Sequence, residues 1–295
     1  MFELLGIPPQ ALFGQLLLGL INGSFYALLS LGLAVIFGML NIINFAHGAQ
    51  YMMGAFTAFL LFNWLGIGYW GALILAPILV GITGVIIERL FLHRLYQLDH
   101  LYGLLLTFGL ALIIEGIFRN LYGSSGLQYS MPDILRGGYN LGFMFLPTYR
   151  AWVIAFSLVV CLSVWFVIER TRLGAYLRAA TENPTLVRAF GINVPRMVTL
   201  TYGFGVGLAA LAGVMAAPIY NVSPQMGADL IIVVFAVVVI GGMGSIMGAI
   251  VTGFSLGIVE GLTKVFFPEA SNTVIFVIMA IVLLLRPAGL FGRRA

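Results

Sequence analysis

The 295-residue chain is 61% hydrophobic and only 8% charged, with a mean hydropathy of +1.09; these values exclude a soluble globular or disordered protein and indicate an integral membrane protein. A formal net charge of +4 would point to nucleic acid in a soluble chain, but in a membrane chain it reports which loops are retained inside, so no nucleic-acid partner is expected. The single cysteine, Cys161, lies in an apolar run and leaves no disulfide framework or multi-cysteine metal site.

The amino-terminal MFELLGIPPQ has no base ahead of the first apolar run, so a retained first helix is expected rather than a cleaved signal. Apolar runs recur near 12–40, 49–65, 70–90, 101–119, 150–168, 198–218, 228–244, 246–267 and 270–286. Most are close to the ~20 residues that cross ~30 Å of hydrocarbon as a helix. The expected fold is an all-α polytopic membrane protein with about nine transmembrane helices (eight to ten), some of them broken.

The run 12–40 is longer than one perpendicular crossing needs, and NIINFAHG at 41–48 separates it from a short second run. A long helix, a polar break and a short helix describe a discontinuous element whose freed backbone groups need partners from protein or a water-filled cavity. Asn22, Asn41, Asn44, His47 and Gly48 are therefore candidates for lining or gating a pathway. The alternative for 41–48 is a polar turn at the membrane surface, with Asn44 capping the second helix.

Further along, Glu115 stands four residues before Arg119, and Glu260 four before Lys264, both in the favourable acid-first order for an i,i+4 pair. The loop 120–149 carries Tyr122, Tyr129, Tyr139 and Tyr149, which suit an interfacial aromatic belt. Asp229 opens the run at 228, where a carboxylate faces the positive end of a helix dipole. In GGMGS at 241–245, Gly241, Gly242 and Gly244 form a second break. It reads as a tight turn, a re-entrant pair or a close helix contact, and its residues join the pathway or gating candidates. The pattern of helix, break and short Gly-rich helix in 31–60 and 232–260 resembles the repeated halves of many transporters.

Between the fifth and sixth runs, 170–197 is a helical unit of soluble character. Asn183 suits an N-cap, Pro184 the first helical position and Gly191 the position after the last turn. Leu186 and Phe190 share a face, Arg188 points elsewhere, and Arg178 and Glu182 have the spacing of an ion pair. A helix of two turns is marginal in water, so a partner protein's groove or an anionic lipid surface must hold it.

Orientation follows from the bases. With the C-terminus cytoplasmic, one side collects Arg89, Arg94, Arg170, Arg172, Arg178, Arg188, Arg196, Arg286, Arg293 and Arg294. The other has Arg119, Arg136, Arg150 and Lys264. Ten against four places 170–197 inside and the N-terminus outside.

The catalytic inventory is short. His47 is the only unpaired titratable side chain near a span on the inner side, too little for a proton relay. His47, His93 and His100 lack metal-ligand spacing, and no nucleophile–base motif appears, so no enzyme activity is expected. There is no phosphate loop, and the only lysine, Lys264, sits in an apolar run. Any ATP and Mg must be bound by a partner subunit.

Four stretches together resemble a known family: NGSFYALLSLGLAVIFGMLNIINFAHG at 22–48, RLGAYLRAATENPTLVRAFGIN at 172–193, VIGGMGSIMGAIVTGFSLGIVEG at 239–261 and RPAGLFGR at 286–293. In this order they resemble the H-type (LivH-like) permease subunits of ABC importers for branched-chain amino acids, over nearly the whole chain. The resemblance implies a single permease domain, 1–295, in the inner membrane. It also implies a homologous M-type permease, two cytoplasmic ATPase subunits and an extracytoplasmic amino-acid-binding protein as partners. Within 170–197 it marks Arg178, Glu182, Asn183, Leu186, Arg188, Phe190 and Gly191 as an ATPase-coupling segment. Related permeases carry urea, amides or other small solutes, and a stand-alone channel or facilitator is the alternative outside the family.

Overall fold

The computed structural model describes residues 8–40, 42–96, 98–142 and 144–292. Asn41, Arg293 and Arg294 lie outside the described residues. Among the described residues the chain forms eleven α-helices: α1 (Pro9–Leu40), α2 (Ala46–Leu65), α3 (Tyr69–Leu90), α4 (His100–Tyr122), α5 (Thr148–Arg170), α6 (Arg172–Glu182), α7 (Pro184–Ala189), α8 (Val194–Ala216), α9 (Met226–Gly241), α10 (Ile246–Phe266) and α11 (Val274–Leu285). Each of the nine apolar runs coincides with one helix. Six segments are long and apolar enough to cross a membrane by length and composition: α1, α3 with the 3-10 turn after it, α4, α5, α8 and α10. The protein is an all-α polytopic membrane protein. α9 and α11, with 16 and 12 residues, are about 24 and 18 Å long at 1.5 Å per residue.

Burial sorts the helices into centre and periphery. The most apolar windows of α1 and α8 are 78% and 72% buried, against 11% for α4. In lipid no hydrophobic force draws helices together, so close packing of small residues must do so. Along α1 and α10 the residues Gly19, Gly23 and Ala27 face Gly257 and Gly253 in antiparallel order. α8 uses the same device toward its neighbours: Gly205 meets Gly32 of α1, Gly203 meets Gly81 of α3, and Gly213 meets the Tyr51 carbonyl of α2.

The segment between α4 and α5 folds over the ends of the helices. Its hairpin pairs β1 (Gly138–Asn140) with β2 (Phe145–Pro147), and Leu127 bridges to Val222 between α8 and α9. Two of the expected belt tyrosines are core residues instead. Tyr149 is fully buried, its hydroxyl donating to the Met215 carbonyl at 2.8 Å and accepting from the Tyr69 hydroxyl at 3.1 Å, and Tyr129, within the segment itself, is buried too. A tyrosine with a backbone acceptor in reach gains more from burial than from an interface. Tyr139 is exposed.

Candidate functional site

Within the first break, Asn44, Ala46, His47 and Gly48 are buried inside the bundle. The Phe45 amide donates to Thr107 Oγ1 at 3.1 Å, and Thr107 in turn donates to the Ile43 carbonyl at 3.2 Å. Thr107 is seven residues into α4, about 10 Å from its start. One threonine from another helix thus satisfies a donor freed by the break and shares its single proton between the freed Ile43 carbonyl and the Leu104 carbonyl of its own helix at 3.0 Å. Asn44 does not cap α2. Its side chain is fully buried and donates to Gln50 Oε1 at 3.3 Å and to the Tyr202 hydroxyl at 3.1 Å, and Gln50 also donates to that hydroxyl. Nor is His47 unpaired: its Nε2 is 3.0 Å from the Leu29 carbonyl. A carbonyl only accepts, so Nε2 carries the proton. The ring packs on Gly32, where a Cβ would come within 3.0 Å of it.

Gly48 brings the starts of two helices together. A Cβ there would stand 2.5 Å from the Gly227 carbonyl; Gly48 is the third residue of α2 and Gly227 the second of α9. Two helix N-termini therefore meet at the depth of the first break, the arrangement of discontinuous helices in transporters.

The second break is a tight turn. Gly242 and Gly244 adopt φ of 101° and 82°, conformations open to glycine and costly for other residues. Gly241 packs on Gly248, Gly242 on Gly292 and Gly289, and Gly244 on Gly38. The chain after α11 returns to cover this turn: the Leu290 and Phe291 amides donate to the Ile240 and Gly241 carbonyls at 2.8 and 3.1 Å. Terminal carbonyls of α9 that the helix cannot satisfy are thereby capped. Gly244 and Gly38 also border a cavity of about 420 Å³ shared with Glu169, Arg178, Thr201 and Phe291. A second cavity of about 290 Å³ holds Asn22, with Tyr51, Tyr220 and Asp229. Asn22, Gly48 and Gly244 each line a cavity.

The 170–197 segment has the local structure read from its sequence, with one correction. Asn183 Oδ1 accepts from the Leu186 amide at 3.0 Å, Pro184 opens α7, and Gly191 has φ of 82°. Arg178, however, does not pair with Glu182. It donates from Nη1 to the Ile168 carbonyl at 2.8 Å and lies 3.4 Å from Glu169. Gly174 lets α6 lie directly on the last turn of α5, where a Cβ would overlap the Ile168 carbonyl. That brings Arg178 to the negative end of the α5 dipole, a better-placed acceptor than a solvated carboxylate. Ala180, Val187 and Val194 are buried together against Met39. α7 is thereby anchored to the ends of α1 and α8, and its opposite face presents Leu186 and Phe190, 54% and 75% exposed.

The family model for the branched-chain amino acid transport system permease component matches residues 15–283. The LivH permease protein of the high-affinity branched-chain amino acid transport system of Escherichia coli K12 is 30% identical, covering 95% of each chain. The BraD permease protein of Pseudomonas aeruginosa has the same identity and coverage. The LivM permease protein of E. coli is 27% identical over 90% of this chain and 67% of its own. The chain belongs to the branched-chain amino acid transport permease family. Its relatives are transport permease subunits.

The permease contains one buried acid that its sequence does not advertise. Glu88, fully buried at the end of α3, accepts from Thr199 Oγ1 of α8 at 2.7 Å and from the Tyr96 hydroxyl, with His93 Nδ1 3.8 Å away. The available signal is the group of Glu88, His93 and Tyr96 within nine residues. The two acid-first pairs form as expected, Glu115 with Arg119 and Glu260 with Lys264. Glu260 is also buried and holds the Tyr26 hydroxyl at 2.7 Å.

Proposed function

We propose that this chain is a transmembrane permease subunit of an ATP-driven importer that carries branched-chain amino acids inward across the inner membrane. Its whole length, 1–295, acts as one permease domain crossing nine times, N-terminus outside and C-terminus cytoplasmic. α9 and α11 cross as short helices, and the returning chain caps the end of α9. An M-type permease completes the pathway and an extracytoplasmic binding protein delivers the solute. Two cytoplasmic ATPase subunits bind ATP and Mg.

The observation that carries this reading is an anchored two-turn helix presenting an unpartnered apolar knob, in a chain of this family. Closure of an ATPase dimer on Leu186 and Phe190 pushes α7. Because Val187 is wedged against Met39 and Val194, the push reaches the ends of α1 and α8, the two most buried helices. Rigid helices joined by close-packed glycine contacts move as bodies, so the bundle rocks around its pathway. Arg178 and Gly174 hold the lever to α5, while Glu182 and Arg188 are exposed to the partner.

The test is ATP hydrolysis by the assembled complex. Central apolar anchors typically contribute about 2 kcal/mol or more to an interface. With Leu186→Gly and Phe190→Gly combined, hydrolysis stimulated by the loaded binding protein is lost. Stimulation at the wild-type level would overturn the lever.

A further inference from the structure

The cavity of about 290 Å³ around Asn22 has an unusual lining. Tyr51 is 1% exposed, yet its hydroxyl makes no hydrogen bond within the described residues. A buried hydroxyl without a partner is costly, and native proteins rarely leave one. Asp229, in the first turn of α9, borders the same space and has neither ion pair nor hydrogen bond among the described residues. It is exposed to that space and follows Gly227 by two residues, beside the meeting of α2 and α9, and an acid on an apolar helix that no partner neutralises is a candidate functional site. The Asn22 side chain is held by two partners: the Tyr220 hydroxyl donates to its Oδ1 at 3.1 Å and its NH2 group donates to Glu260 Oε1 at 3.5 Å, which leaves one N–H for a ligand. The remaining wall combines apolar Phe25, Met226 and Leu230 with Tyr26, Asn221 and Ser223.

We propose that this cavity is a recognition site within the permease for a free aliphatic amino acid in transit. Asp229 receives the α-ammonium, the Tyr51 hydroxyl and Asn22 amide donate to the α-carboxylate, and Phe25, Met226 and Leu230 enclose the side chain. Polar groups beside an apolar patch, in a cleft at the small end of ligand-pocket sizes, about 300–1,000 Å³, suit a zwitterion of leucine's size. The inference rests on the importer reading and adds selection by the permease to selection by the delivery protein.

Equilibrium binding of radiolabelled leucine to the assembled complex, without binding protein, tests it. The wild-type complex binds leucine, and 4-methylpentanoate, which lacks only the ammonium, does not displace it. Asp229→Asn weakens binding about tenfold or more, as expected for loss of a charge-assisted pair, and Tyr51→Phe weakens it less. Displacement by 4-methylpentanoate as effective as by leucine would overturn the site without recourse to any variant. So would unchanged binding in both variants, or no binding by the wild type, while ATP-driven leucine uptake leaves the importer standing. A wild-type complex that takes up no branched-chain amino acid with ATP removes both.

Discussion

Gly257→Leu abolishes accumulation of the folded chain in the membrane, whereas Gly109→Leu leaves it unchanged. The difference lies in what each new side chain meets. At Gly257 even a Cβ would overlap the Gly19 carbonyl and stand 2.5 Å from the Gly23 nitrogen, and both obstacles are backbone of α1. No rotamer relieves such a clash, so the helices must separate. Their seam is the most glycine-rich in the bundle, and overpacking alone costs about 1–3 kcal/mol, more where backbone must move. At Gly109 a Cβ meets nothing within 4 Å, and leucine favours a helix by about 1 kcal/mol over glycine. Membrane-fraction immunoblots and size-exclusion profiles in detergent read the outcome. Equal accumulation of the two variants would mean that α1 and α10 do not pack as described.

Glu88→Ala lowers thermal stability in detergent by about 3 kcal/mol or more, the second largest effect expected. The substitution leaves the Tyr96 hydroxyl without its acceptor, removes the stronger partner of Thr199, and opens a void between α3 and α8. Hydrogen bonds to charged groups contribute about 1.5–3 kcal/mol each, and an unfilled buried volume adds to the loss. Thr199 retains a bond to the Pro195 carbonyl at 3.0 Å, so the helix start at α8 survives. Glu88→Gln keeps one acceptor oxygen and loses less. If the alanine variant unfolded at the wild-type temperature, Glu88 would not be tying α3 to α8.

What the sequence could show depended on the range of the interaction. The caps around α7 were readable because Asn183, Pro184 and Gly191 act on their own backbone within four residues. The i,i+4 pairs at Glu115 and Glu260 were readable for the same reason. Arg178 was misassigned because its real acceptor, the Ile168 carbonyl, becomes available only when Gly174 lets α6 fold back on α5. Tyr149 read as interfacial because nothing local reveals that Met215, 66 residues away, offers a buried acceptor. The polar cluster at 41–48 announced a break, but its depth came from Thr107 and Gly227, whose proximity is a tertiary fact. Asp229 reads from the sequence as a helix-dipole partner, and only the cavity joins it to Tyr51.

The sidedness of α6 and α7 tests the central claim most directly. A cysteine at Ala179, an exposed residue of α6, is introduced in a Cys161→Ala background and offered a membrane-impermeant maleimide. Modification in inverted vesicles stripped of peripheral proteins, with none in intact cells whose outer barrier has been opened, is the predicted result. Modification from the outer face of intact inner membranes would place the segment beyond the reach of any cytoplasmic ATPase and contradict the account.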